Sequence, residues 1–113
     1  MACKIAVTAL KVLKEENMAE NAERLGGFFR EALNNLHSPH IVEVRGKGLL
    51  NAIVINEATE DGAWKLCLAL KENGLLAKPT HGNKIRFAPP LTITRDEISA
   101  CIKIIEKSLK TLD

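Results

Sequence analysis

Tyrosine is absent from this chain of 113 residues, and only one tryptophan and three phenylalanines are present. Binders of single-stranded nucleic acid stack bases on aromatic side chains set among basic ones, and that interleaving is missing. The formal net charge is only +2, too small to argue for a nucleic acid or an anionic membrane as partner. Cys3, Cys67 and Cys101 are widely spaced, with no C-x-x-C among them. Zinc and dithiol redox motifs are therefore unsupported, and thiols without a disulfide framework point to a reducing compartment. No apolar run approaches the length of a membrane-spanning helix. The opening residues, MACKIAVTALKVLKEE, have neither the Arg/Ser bias of a transit peptide nor the cleavage site of a secretory signal. They read as an amphipathic helix that starts abruptly.

What is present suits a globular fold: 46% of the residues are hydrophobic and 27% charged. The length fits a single domain over residues 1–113, able to bury roughly 60–70% of the surface its unfolded chain exposes. Apolar residues at helical spacing predict a first helix over Ala2–Glu16. Asn17 with Glu20 has the form of a capping box, and Met18, Ala22, Leu25, Phe29, Ala32 and Leu36 form the clearest stripe in the chain, predicting a second, core-facing helix. Val42–Arg45 and Leu49–Ile55 read as strands, apolar enough to expect a sheet covered on both faces for part of its length. The glycines of Gly46-Lys47-Gly48 lie between strands, where a hairpin or bulge is expected rather than a phosphate loop. A third helix runs from Ala63 to Asn73-Gly74. Leu75–Lys78 and Lys84–Phe87 are expected as short strands around a Pro79–Asn83 turn. Thr94 with Glu97 caps a closing helix. The order is α-α-β-β-α-β-β-α, an α+β fold with helices on one side of a small, mostly antiparallel sheet.

No catalytic constellation is complete. His37, His40 and His81 have no partners at metal-binding spacing, so no metal site is expected. Cys67 and Cys101 fall on apolar helix faces and read as small core residues. Lys78 reads as a strand-end lysine reaching solvent. Arg86 is different. It alternates in side from Ile85 and Phe87, and Pro89-Pro90 stiffens the exit of its strand. A planar, always-charged fork on a rigid backbone suits recognition of a carboxylate.

Val44-Arg-Gly-Lys-Gly-Leu-Leu50 and Ile85-Arg-Phe-Ala-Pro-Pro-Leu91, with Thr92-Ile-Thr and Glu97-Ile98, resemble the C-terminal domain of class III aminotransferases, pyridoxal-phosphate enzymes of fold type I. Leu76-Ala-Lys-Pro-Thr-His-Gly82, Glu15-Glu-Asn-Met-Ala-Glu-Asn21 and Gly48-Leu-Leu-Asn-Ala-Ile-Val54 are similar to the ornithine-specific branch. The resemblance runs over essentially the whole chain. It implies a small domain that works beside a large one in a homo-oligomer, on ornithine and 2-oxoglutarate, in the mitochondrial matrix or the cytoplasm. It implies that Arg86 handles a substrate carboxylate and pairs with a glutamate of the large domain; Thr80 and His81 receive no defined role. The family's cofactor lysine, ring-nitrogen aspartate, stacking aromatic and phosphate-binding residues belong to the large domain. The chain is thus expected to be an excised piece that binds no pyridoxal phosphate and is inactive alone. The competing expectation is a stand-alone α+β binding module that has lost the enzyme.

Overall fold

The computed structural model describes residues 2–58, 61–80 and 82–113. Its elements are α1 (Ala2–Glu15), α2 (Met18–Asn34), β1 (Ile41–Lys47), β2 (Leu50–Ile55), α3 (Gly62–Glu72), β3 (Lys78–Thr80), β4 (Lys84–Phe87) and α4 (Arg95–Leu109), followed by a 3-10 turn at Lys110–Leu112. The order is the expected one. The strands lie β1-β2-β4-β3, and every pairing is antiparallel.

Helices cover one face of this sheet. Ile53 and Ile55 of β2 and Ile85 and Phe87 of β4 alternate inward. They are buried with Leu25, Phe29 and Leu33 of α2, Leu66 and Leu70 of α3, and Ile98 and Ile105 of α4. Phe29 meets Phe87 edge to face, with ring centroids 5.7 Å apart, a favoured aromatic geometry.

No described element covers the opposite face, contrary to the expectation of a sheet covered on both sides for part of its length. The apolar run at the start of β1 misled because of a bulge. Ile41 pairs with Ile55, but Glu43 pairs with Val54. Val42 is the extra residue and stands 65% exposed; beyond it, Glu43, Arg45 and Lys47 take the outer face.

Two termini also differ from the sequence reading. Asn17 does not cap α2 with its side chain; it is left-handed (φ 52°) and makes no capping bond. It closes α1 instead, in a conformation that asparagine tolerates better than most residues. Leu75–Ala77 is not strand. The Leu75 amide donates to the Leu70 carbonyl at 2.8 Å, and Gly74 (φ 95°) donates to Lys71. That closing motif of α3 uses the amide a strand would need, so β3 begins later, at Lys78. Pro79 lies within it, which an edge strand permits.

The capping box at α4 is present: the Glu97 amide donates to Thr94 Oγ1, and the Thr94 amide to Glu97 Oε1. Thr94→Ala is expected to cost about 1 kcal/mol of stability, read as a lower urea midpoint with an unchanged slope. No change in midpoint would show that α4 is held by packing alone.

Candidate functional site: the open face of the sheet

Strand register arranges the open face in rows. Arg45 of β1 pairs with Ala52 of β2, Ala52 with Arg86 of β4, and Arg86 with Lys78 of β3. Directly opposed residues of antiparallel strands point to the same side. Arg45, Ala52, Arg86 and Lys78 therefore form one line across the sheet. The next line runs Glu43, Val54, Lys84, Thr80. Ile85 and Phe87 are buried while Arg86 is exposed, so the guanidinium projects away from the helices.

Among the described residues, the strands place five cations on this face, Arg45, Lys47, Lys78, Lys84 and Arg86, against one carboxylate. That carboxylate, Glu43, accepts from Arg45 Nη2 at 2.8 Å. Among the described residues the Arg86 side chain has no hydrogen-bond or ion-pair partner.

The backbone that presents Arg86 is held on both sides. Ile85 just before it and Phe87 just after it anchor β4 in the core. Downstream, Pro89-Pro90 leads into a turn in which the Ile93 amide donates to the Pro90 carbonyl at 3.0 Å. Asn21 of α2 then donates through Nδ2 to the Leu91 carbonyl at 2.7 Å and the Ile93 carbonyl at 3.2 Å. The β1–β2 hairpin is tied to the same helix. Arg30 Nη1 donates to the Gly48 carbonyl at 2.9 Å and to Asn51 Oδ1 at 2.7 Å, and Asn51 is itself buried. Sequence reasoning missed Asn21, Arg30 and Asn51. Nothing in helical or strand periodicity marks a side chain whose task is to bond a distant backbone carbonyl. A signal did exist for their neighbour Gly26, an unusual residue for a helix interior. A Cβ there would land on the Gly48 carbonyl.

The remaining candidates separate. Lys78 is exposed, as expected, but stands beside Arg86 rather than alone. Thr80 lies two residues along β3, in the row of Lys84. His81 lies outside the described residues. His40 is not simply solvated: its Nε2 lies 2.7 Å from Asp113 Oδ1, and its side chain is only 15% exposed. His37 is exposed with φ 49°. Among the described residues, no three His, Cys, Asp or Glu side chains gather to hold a metal. Cys67 is buried and Cys101 partly so. Burial pushes both thiols up, helped at Cys101 by the nearby Glu97 charge. That setting makes them poor nucleophiles.

A family model for class-III aminotransferases matches residues 1–109. The chain belongs to the class-III aminotransferase family. It is 55% identical to the mitochondrial ornithine aminotransferase of Rattus norvegicus over 96% of this chain and 25% of that one. It is 54% identical to the ornithine aminotransferase of Emericella nidulans over 99% of this chain and 25% of that one. Among solved structures, acetylornithine aminotransferase from Elizabethkingia anophelis superposes with a TM-score of 0.91 at 55% identity, over 97% of this chain and 30% of that one. The ornithine aminotransferase of Toxoplasma gondii, whose structure shows partial occupancy of PLP at the active site, gives 0.90 at 45% identity, over 98% of this chain and 27% of that one. This chain therefore spans about a quarter of the length of the curated relatives it matches.

The family depends on PLP, and the residues of the open face do not fit it. Such a site needs a lysine for the cofactor, a partner on the pyridine nitrogen and a pocket that fixes both. The open face is a sheet surface without an aromatic residue, and its carboxylate is already engaged by Arg45. Among the described residues no helix is long and apolar enough to cross a membrane.

Proposed function

We propose that this chain is the small C-terminal domain of an ornithine aminotransferase, and that its part in the reaction is to present Arg86 to a substrate carboxylate. The large domain of the same enzyme supplies the PLP site. The whole enzyme, a homo-oligomer of the mitochondrial matrix or cytoplasm, moves the δ-amino group of ornithine to 2-oxoglutarate and yields glutamate semialdehyde and glutamate. The cofactor carries the electronic chemistry. This domain contributes binding and orientation, which convert an encounter into a positioned reactant.

The observation that carries the reading is the state of Arg86. A guanidinium with no partner among the described residues stands on a backbone fixed by a core anchor on either side and by prolines and Asn21 beyond. A planar fork held still is suited to bidentate recognition of a carboxylate. A free interaction module would not need that rigidity, and near-full coverage of this chain at 55% identity to a transaminase speaks against it.

The test uses a hybrid in which this chain replaces the matching segment of the rat enzyme. The hybrid is expected to retain PLP and to transaminate ornithine with 2-oxoglutarate. The 113-residue chain alone, mixed with PLP and gel-filtered, is expected to show no stoichiometric cofactor absorption and no turnover. A folded, PLP-loaded hybrid that turns over neither ornithine nor its N-acetyl derivative would overturn the reading. The likeness to the acetylornithine enzyme makes the second donor a necessary arm. Preference for it would keep Arg86's role and change the amino donor.

A further inference from the structure

A cavity of about 280 Å³ lies on the helix side of the sheet, away from the Arg86 guanidinium. Phe29 of α2, Phe87 of β4, Pro89, Pro90, and Ile98 and Cys101 of α4 form its walls. The lining offers a polar ligand little to bond. Pro89 and Pro90 have no N–H. The Leu75 and Ile93 amides, also at the wall, already donate to the Leu70 and Pro90 carbonyls, and the Ile98 amide donates to Thr94. Among the described residues at the wall the one polar side chain is the Cys101 thiol, which burial and the Glu97 charge keep protonated. Sites for small metabolites are generally roughly 300–1,000 Å³ and carry a few placed polar groups that fix orientation. This cavity is smaller and lacks those groups, so it suits an apolar side chain better than a metabolite. Leu76 borders it and stands 80% exposed, which carries the apolar lining out to the surface. Such a side chain has an evident source, because this chain spans about a quarter of the length of the curated relatives it matches.

We propose that this cavity receives an apolar side chain from the part of the enzyme that lies outside this chain. The inference rests on the reading of the chain as one domain of a larger aminotransferase and adds a docking surface distinct from the open face. Arg86 and Phe87 are neighbours in β4, yet one is exposed and the other buried on the helix side. The rest of the enzyme thus holds the domain from two directions: over the sheet at Arg86, and behind it by a side chain seated against Phe29, Phe87 and the two prolines.

Two measurements compare the 113-residue chain with the rat-based hybrid. Toluene is a neutral ring of the kind that dry apolar cavities accept, and its binding is followed by equilibrium dialysis of the labelled compound. The chain is expected to bind about one toluene, and Cys101→Leu, which fills the cavity, should abolish that binding. Cys101-dependent binding should be at least about tenfold weaker in the hybrid, where the seat is taken. The second measurement is the stability of Cys101→Leu itself. In the chain the added volume fills a gap, and the urea midpoint should rise. In the hybrid it competes with the seated side chain, and overpacking should lower the Tm and loosen PLP. The opposite signs matter, because leucine's better helix propensity acts equally in both proteins. Equal gains in both overturn the inference. So does toluene binding as tight in the hybrid as in the chain, which would make the cavity a free-ligand site, and so does a chain that binds no toluene. If Cys101→Leu does not fold, toluene binding to the two unmodified proteins decides alone. PLP loading and turnover of the unmodified hybrid test the domain reading separately, and that reading survives any of these failures. A hybrid that takes up no PLP sinks both.

Discussion

Arg86→Lys in the rat-based hybrid is expected to lower kcat/KM for 2-oxoglutarate by on the order of 30-fold or more. Lysine keeps the charge and loses the fork, so the substitution isolates geometry from electrostatics. On the proposed function, the large domain and substrate close over the open face and desolvate the pair. Replacing the fork by an ammonium loses one of two hydrogen bonds to a charged group, roughly 1.5–3 kcal/mol, and each ~1.4 kcal/mol is a factor of ten in rate. The loss should fall mainly on the half-reaction that uses 2-oxoglutarate. Single-turnover measurements of each half separately decide this. If both halves stay within about twofold of the unmodified hybrid, a change under roughly 0.5 kcal/mol, Arg86 is a solvated strand residue and the domain supplies only scaffold.

The second large effect concerns folding. In most helices Gly→Ala is a gain of about 0.5–1 kcal/mol, because alanine restricts the unfolded chain and favours the helix. At Gly26 the sign should reverse. The added Cβ would occupy the place of the Gly48 carbonyl, and both colliding partners are main chain, which cannot swing aside as a long side chain can. Overpacking of this kind costs typically about 1–3 kcal/mol, occasionally more. The displaced carbonyl also accepts from Arg30 and Asn51, so moving it disturbs buried donors as well. We expect Gly26→Ala to lose about 2–4 kcal/mol by urea unfolding. Gly27→Ala, one residue along, meets nothing within 4 Å and should gain about 0.5 kcal/mol. Equal gains at both positions would show that the hairpin does not bear on α2.

Much of this architecture was legible in the residues. The stripe from Leu25 to Phe29 placed α2 against the core, the Thr94–Glu97 pair placed the start of α4, and Lys84–Phe87 was read with its bounds as they stand. These signals are local, so sequence carries them. The bulge at Val42 was hidden because a strand's alternation is defined by its partner, and the pairing of β1 with β2 is not written in β1. The later start of β3 was hidden for a related reason, since the Leu75 amide was claimed by the end of α3. Arg86 was singled out from its neighbours. Its opposition to Lys78 needed the strand register, and its support by Asn21 needed a contact across 70 residues of chain.

The first helix leads to a different kind of conclusion. None of its residues is buried, while Ile5 and Leu10 are more than 60% exposed. A helix of 14 residues without tertiary cover sits near the limit at which isolated helices hold together in water. Its amides therefore belong to a separate, low-energy opening unit, whereas those of β2 and β4 exchange with solvent only when the core comes apart. The 113 residues are therefore expected not to melt as one body. An unfolding curve for this chain reports the packed segment from α2 onward, and α1 loosens and re-forms many times while that segment stays intact.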